Sequence, residues 1–442
     1  MNTILISFVI PTIKSPQELT SLLRTIVKRF GDRCEIIVVN DNPLNSKAYI
    51  SSDELSNFPI IKIISNINNC GPGYSRNIGI TESNGKYIAF VDDDDEIIFH
   101  KNDNLIDAID RSSDIIFLDF EDSTGIFSNS NILNNLPQNK SIPIDLFINV
   151  MNNSDFYPWQ CQQFFFKATF LKANNLYFLN TYIAEDIAFN SEAICSASHI
   201  EAVRDPYYLY RSNSGTLKSS AGYERAEDCL KALKKLTGYY WNNLSILKNS
   251  SSEIFLNRAT DFLIKFLYIR VILLDSNEVI MQSDPEKPIS SQFNFFYKNL
   301  TSFDLHNSVC HLHQELNSIV INNLSECLGK ATKLYIYCAG PFGRAVAKLA
   351  SSLLHTKNIF FIDDNAHLYM NKSQEIFSIY DLNEIPIHDM SDDVKIMICN
   401  PQPWFENSIA NKLMKYFNKK NIDFPLESII IGSKLFEKPL IL

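Results

Sequence analysis

Short apolar runs, each closed by a turn or an acidic residue, alternate with helically spaced stretches in the first part of the chain. Ile4–Ile10 is a nearly continuous apolar run that stops at Pro11, and it predicts a strand. Glu18–Phe30 puts Leu19, Leu22, Leu23, Ile26 and Val27 on one face of a helix. Glu35–Val39 predicts a second strand, closed by the turn cluster Asn40-Asp41-Asn42-Pro43, and Ile60–Ile64 a third. Gly73–Glu82 predicts another helix. Gly85 then opens an apolar strand, Tyr87–Val91, that runs straight into Asp92-Asp93-Asp94-Asp95. Strand, helix, strand, strand, helix, strand predicts an α/β fold with a mainly parallel sheet. In such sheets ligands gather at the carboxyl ends of the strands, where Pro11-Thr12, Asp41 and Asp92–Asp95 all fall.

The pattern changes twice further on. Asp114–Phe120 predicts a strand and the Asn/Ser-rich stretch Glu121–Lys140 a loop or cover, followed by a strand near Phe164–Lys167 and a short helix from Ala168. From about Glu224 to Leu328 the spacing is helical, with breaks near 248–252 and Pro285–Ser291. Strand signals return at Lys333–Cys338, Asn358–Ile362 and Lys395–Cys399. Gly340 and Gly343 follow the first of these, Asp363-Asp364-Asn365 closes the second, and Asn400-Pro401 follows the third. A glycine turn between strand and helix, with an acid about twenty residues later, has the mechanics of a dinucleotide-binding unit, although the glycine fingerprint is incomplete. Nucleotide binding and a structural or oligomerising role are both open for it. The organisation expected is a nucleotide-binding domain at 1–223, a helical linker domain at 224–330 and a small Rossmann-like domain at 331–442.

Composition narrows the function. The chain of 442 residues carries a net charge of −10 and no basic stripe, which argues against a nucleic-acid partner. Nine scattered cysteines without a CxxC pair argue for reduced thiols rather than a zinc cage or disulfide framework. No signal peptide is read at the N-terminus. Phe262–Leu274, the longest apolar stretch, is broken by Lys265 and Arg270 and reads as a core helix, with a membrane-surface helix as the alternative. A cytoplasmic protein is expected, with the inner face of the membrane open to it.

The acidic run is where chemistry is expected. Four adjacent carboxylates at a strand end repel one another, so either the turn is solvated or a hard divalent cation such as Mg²⁺ or Mn²⁺ sits among them. Arg76 offers a planar fork suited to a diphosphate or a base carbonyl, or else makes a surface salt bridge. Glu185-Asp186 stands before an amphipathic stretch, where acids also favour a helix start.

Four stretches in order then resemble family 2 glycosyltransferases, whose nucleotide-binding domain has the GT-A fold. They are Phe8-Val9-Ile10-Pro11-Thr12, Val38-Val39-Asn40-Asp41-Asn42, Asn69-Cys70-Gly71-Pro72-Gly73-Tyr74-Ser75-Arg76-Asn77, and Tyr87–Asp95 with its Asp-x-Asp motif. The likeness covers about the first half of the chain. It implies that Pro11, Thr12, Asp41, Arg76, Asn77, Asp92, Asp93, Arg211 and Thr216 contact a nucleotide-diphosphate sugar, most simply a UDP-sugar. Asp94 and Asp92 would hold Mn²⁺ or Mg²⁺, with Asp93 and Asp95 behind them or facing solvent. By the same resemblance Asp186 is the catalytic base, Glu185 its orienting partner, and Trp159 lies on a strand forming the floor under the acceptor, either as a sugar contact or as a core residue. Asn213 stands where the family often has a histidine, which leaves the third metal ligand open. The implied activity is inverting hexosyl transfer to a glycan or lipid-linked glycan in bacterial surface-polysaccharide synthesis, such as capsule or lipooligosaccharide. Peripheral membrane association and homo-oligomerisation through the C-terminal domain stay open. Two other readings use the same residues: a nucleotidyl- or phosphosugar transferase, which would not need Asp186, and a non-catalytic scaffold.

Overall fold

The computed structural model describes residues 4–13, 16–42, 61–98, 104–122, 129–154, 159–211, 223–272, 320–338, 341–354, 358–364, 378–385, 393–399, 404–420, 422, 424–425, 428–432 and 435. Thr216, Asn213, Gly340, Asn365, Asn400-Pro401 and the Pro285–Ser291 break lie outside them. Contacts divide the chain into two units, Met1–Ser214 with Lys231–Thr260, and Gly215–Leu230 with Asp261–Leu442.

The first unit is built on a nine-stranded sheet. Its strands are β1 (Ile6–Thr12), β2 (Cys34–Asn40), β3 (Ile61–Ser65), β4 (Tyr87–Phe90), β5 (Glu96–Ile97), β6 (Ile115–Asp122), β7 (Ser141–Pro143), β8 (Phe164–Lys167) and β9 (His199–Tyr210). The order is β3-β2-β1-β4-β8-β6-β9-β5, with β7 also on β9. β3, β2, β1 and β4 are parallel, and β1 and β2 are buried at every position, as a strand covered on both faces requires. Helix α1 (Pro16–Phe30) joins β1 to β2, and α2 (Pro72–Glu82) joins β3 to β4. The sheet is less parallel than its opening strands suggest. β8 runs antiparallel between β4 and β6, a reversal that the four residues Phe164–Lys167 do not announce in their own pattern. Two further expectations need correction. The Glu121–Lys140 stretch is not all loop, since a helical turn forms over Ser130–Asn134, and Trp159 precedes β8 rather than lying on it.

Because β3 and β2 fan to one side of β1 and β4 to the other, the carboxyl ends of β1 and β4 flank a topological switch point. Below it a knot of phenylalanines fixes β4 against α3 (Glu185–Ser196): Phe90 meets Phe166, Phe178 and Phe189, and Phe178 stacks on Phe189 at 3.8 Å. Offset and edge-on ring contacts of this kind add about 0.5–1.5 kcal/mol each beyond area burial. α3 carries the Glu185-Asp186 pair at its first turn, so this apolar knot is what holds that pair in place.

The second unit contains a five-stranded, all-parallel sheet of β10 (Lys333–Tyr337), β11 (Ile359–Ile362), β12 (Ser378–Tyr380), β13 (Val394–Ile398) and β14 (Ile429–Ile431), ordered β12-β11-β10-β13-β14. The arrangement is Rossmann-like, as the returning strand signals lead one to expect; β10, β11 and β13 are the strands those signals mark, and β12 and β14 are two they do not. Gly343 explains one of the two glycines there, because a Cβ on it would lie 2.1 Å from the Cys338 carbonyl oxygen. Helices α4 (Tyr223–Asn242) and α5 (Ser251–Ile272) occupy the helically spaced stretch, and α5 takes up most of the long apolar run. Among the described residues no helix is long and apolar enough to cross a membrane, and all eight described cysteines are free thiols.

Candidate active site

The site grows out of how α2 begins. Gly71 takes a φ of +85°, and a Cβ there would sit 2.9 Å from the Thr181 carbonyl oxygen. A Cβ on Gly73 would come within 1.9 Å of the Leu179 carbonyl oxygen. Both glycines therefore admit the Leu179–Tyr182 segment, which leads directly into α3; what approaches them closely is this chain's own backbone. Gly73→Ala is expected to lower stability by about 1–3 kcal/mol through forced overpacking, read as a shift in the urea midpoint at unchanged slope. Asn77 reinforces the junction. Its Nδ2 donates to the Phe178 carbonyl at 2.9 Å and its Oδ1 accepts from the Phe178 amide at 2.8 Å.

Asp41 braces the other end of the turn. Its Oδ1 accepts from Asn66 Nδ2 at 2.7 Å and the Cys70 amide at 2.9 Å, and its Oδ2 from the Gly71 amide at 2.7 Å. At the end of β1, past Pro11, Thr12 Oγ1 donates to Asp93 Oδ2 at 2.6 Å and ties that strand to the acidic run.

Arg76, one turn into α2, is buried and faces three carboxylates. Its NH1 donates to Glu185 Oε1 at 2.7 Å and Asp186 Oδ1 at 3.0 Å, while NH2 donates to Asp92 Oδ1 at 2.8 Å. Phe178 lies against the guanidinium, 5.4 Å from its ring centre. Burial alone would lower the arginine's pKa; the acids around it, Asp186 foremost, carry it well above the ordinary value. Residues 76, 92 and 185–186 thus meet at one buried cation. The surface salt bridge that the sequence left open for Arg76 is excluded, and its fork is turned on acids of this chain.

The acidic run splits its duties. Asp92 Oδ2 accepts from Gln162 Nε2 at 2.6 Å, so both of its oxygens are engaged. Asp95 is buried rather than solvent-facing. It accepts from Tyr208 Oη at 2.6 Å and from the Arg211 amide at 2.8 Å. Burial first, and then the charge of Asp92, push its carboxyl up to about 8. Asp92, Asp94 and Asp95 each offer an oxygen within 4.8 Å of the others. Three converging carboxylates, one of them disfavoured as an anion, fit a hard divalent cation, which accepts oxygen ligands alone. Asp95 joins Asp92 and Asp94 in that set.

Glu185 and Asp186 differ in access. Glu185 has 7% of its side chain exposed and Asp186 13%. Burial and then the neighbouring Asp186 charge push Glu185 up to about 7, against the opposing pull of Arg76. Ala184, just ahead of them, holds a left-handed φ of +65°, a conformation that costs a non-glycine residue energy and is found where geometry matters.

Arg211 is half exposed, ion-paired to Glu96, and reaches the site through its amide on Asp95. Thr216 lies outside the described residues. Of the two roles open to Trp159, packing is the one its surroundings provide: the ring is buried against Phe255, and its carbonyl accepts from Asn190. Sequence reasoning missed Gln162 and Tyr208. Tyr208 was detectable in principle, since strand alternation through Tyr207–Tyr210 fixes its face; nothing around Gln162 marks it.

Residues 7–170 match the family model described as Glycosyl transferase family 2. The chain is similar to poly(ribitol-phosphate) beta-N-acetylglucosaminyltransferase TarS of Staphylococcus aureus, at 24% identity over 235 residues, covering 52% of this chain and 39% of the relative. An uncharacterized glycosyltransferase of Haemophilus influenzae is 27% identical over 330 residues, covering 69% of this chain and 94% of its own length. The solved structure of TarS 1–349 in complex with UDP-GlcNAc aligns with a TM-score of 0.44 at 18% identity, covering 79% of this chain and 91% of that one. The chain thus spans about two fifths of the length of the TarS relative it matches. Glycosyl transferase family 2 is what residues 7–170 of this chain are similar to.

Proposed function

We propose that this chain is an inverting, metal-dependent glycosyltransferase that moves a sugar from a nucleotide-diphosphate donor, a UDP-sugar first, to a hydroxyl of a glycan acceptor. The observation that carries the reading is the Arg76 junction, which joins the acidic run at the end of β4 to the Glu185-Asp186 pair on α3. A donor-side and an acceptor-side set of carboxylates are thereby held in one fixed relation.

Asp186 is the more accessible of the two acids in the first turn of α3 and takes the proton from the attacking hydroxyl. Glu185, more deeply buried, orients it through the shared guanidinium. Asp94, with Asp92 and Asp95, would hold Mn²⁺ or Mg²⁺. When bound, such an ion supplies positive charge toward the departing diphosphate. Arg211, whose amide donates to Asp95 and whose guanidinium pairs with Glu96, adds charge there when the donor is seated. One displacement on the face opposite the leaving group gives inversion. The relative named for poly(ribitol-phosphate) glycosylation favours an acceptor in bacterial surface-polysaccharide synthesis.

The test is calorimetric titration with UDP, GDP, CMP and TDP, each with Mn²⁺ and with EDTA. One nucleotide is expected to bind, and only with metal. Asp94→Ala is expected to remove the metal-dependent part of the affinity, about 10- to 100-fold or more, since second-shell changes alone reach that range. Equal affinities with Mn²⁺ and EDTA would refute the metal assignment, and no binding at all would refute the donor assignment.

A further inference from the structure

The corner where α4 turns into α5 presents three large apolar side chains to solvent. Trp241 at the end of α4 is 52% exposed, Ile246 in the connecting turn 76%, and Ile254 at the start of α5 55%. They share one tip. Tyr240 donates to Glu253, so the residues next to Trp241 and Ile254 are bonded to each other, and the Asn249 amide also donates to Glu253 at 2.6 Å. The aromatic neighbours Tyr240 and Trp241 pack edge to face at 5.5 Å. One exposed apolar residue is ordinary; three of them within fourteen residues on a braced turn are what marks an interaction surface.

Charge says what kind of surface would cover it. Residues 231–254 hold Lys231, Lys234, Lys235 and Lys248 against the single acid Glu253, a local excess of +3 (4 − 1) in a chain of net −10. Glu253 is engaged by Tyr240 and Asn249, and Lys235 by Glu192 and the Tyr177 carbonyl. Lys234 and Lys248 are exposed, and Lys234 stands seven residues before Trp241 on the same stripe of α4. Asp145 and Leu146 are exposed on the helix Ile144–Asn152, at the end opposite the Asn152 side chain that donates to the Ser251 carbonyl at 2.8 Å.

We propose that this tip docks on an anionic phospholipid bilayer, with Trp241, Ile246 and Ile254 entering the headgroup region and Lys234 and Lys248 meeting lipid phosphates. Tryptophan favours that depth because its ring is apolar and its N–H polar, and lysine stems reach outward to the charged plane. Apolar insertion and electrostatic attraction together give reversible surface binding rather than spanning. The proposal does not rest on the enzymatic reading, since it needs neither donor nor acceptor.

Sedimentation of the full chain with phosphatidylglycerol–phosphatidylcholine vesicles tests it, with pure phosphatidylcholine vesicles as comparison. Binding is expected to the anionic vesicles only, to weaken with salt, and to blue-shift tryptophan emission; the shift should vanish in Trp241→Phe. Lys234→Glu and Lys248→Glu, both solvent-facing changes, should each weaken partitioning by roughly fivefold or more. Circular dichroism of those variants checks that the fold is intact. Equal binding to neutral vesicles, or charge reversals without effect, would overturn the proposal. So would a concentration-dependent dimer that Trp241→Ala abolishes in the absence of vesicle binding, which would assign the tip to a second copy of the chain.

Discussion

Arg76→Met is expected to cost about 3–5 kcal/mol of stability, because it strips a buried cation bonded to three buried or half-buried acids while leaving the acids behind. Methionine keeps the stem's packing against Phe178, so the loss reports charge rather than volume. The deficit should depend on pH, and its sign follows from Glu185. Burial and the Asp186 charge already hold that carboxyl up at about 7, and removing the guanidinium, one of the influences lowering it, moves it further up. A carboxyl whose folded pKa is raised favours the folded state in its protonated form. That contribution is whole below its ordinary value of 4.5 and is lost as pH rises through about 7. Urea unfolding of the variant should accordingly show a larger deficit at pH 8 than at pH 5.5. Arg76→Lys, which keeps the charge but loses the fork, should fall between wild type and methionine at both pH values. Equal deficits for methionine and lysine at both pH values would mean that packing, not charge, is what Arg76 supplies.

This junction also marks where the sequence was readable and where it was not. The parallel half of the first sheet was legible because β1, β2 and β4 are nearly continuous apolar runs closed by polar or turn residues, the pattern that doubly covered strands need. In the second unit β10, β11 and β13 were legible for the same reason, whereas β12 and β14, three residues each, were too short to carry a pattern. The antiparallel insertion of β8 was not, because four residues carry burial but no direction. At the site, residue types were readable and partners were not. Arg76 and Glu185 lie 109 positions apart, and only the closing of Leu179–Tyr182 over Gly71 and Gly73 brings them together. The two glycines allow either a ligand's approach or a plain turn on sequence alone; that the chain's own Leu179–Tyr182 backbone makes the approach is set by tertiary structure. Asp95 illustrates the same limit, since whether an acid in a run of four faces water or Tyr208 is set by a strand 113 residues away.

Asp186→Asn is expected to lower turnover by about 10²- to 10⁴-fold, the usual worth of a positioned general base, while leaving nucleotide affinity within about threefold of wild type. The amide keeps the shape of the side chain and can still accept from Arg76, so the junction stays closed. It also removes the like charge beside Glu185, which relieves one of the two influences that push that carboxyl up. The relief of Glu185 is set against the loss of the Asp186 charge on Arg76, so urea unfolding near pH 8 is measured beside the rate, and turnover is compared where the variant is fully folded. Glu185→Gln serves as the counterpart. It removes a proton-binding group whose midpoint stands near 7, so a rate profile that bends near that pH should straighten in the variant while part of the rate survives. The pair of variants separates the proposed reaction from its rivals on the same scaffold. A transferase that moves a nucleotidyl or phosphosugar group with the acidic run alone has no use for a base on α3, and would keep most of its rate in Asp186→Asn. A glycosyl acceptor, by contrast, must lose a proton as its bond to the sugar forms, and Asp186 is the more open of the two acids in the first turn of α3 to receive it.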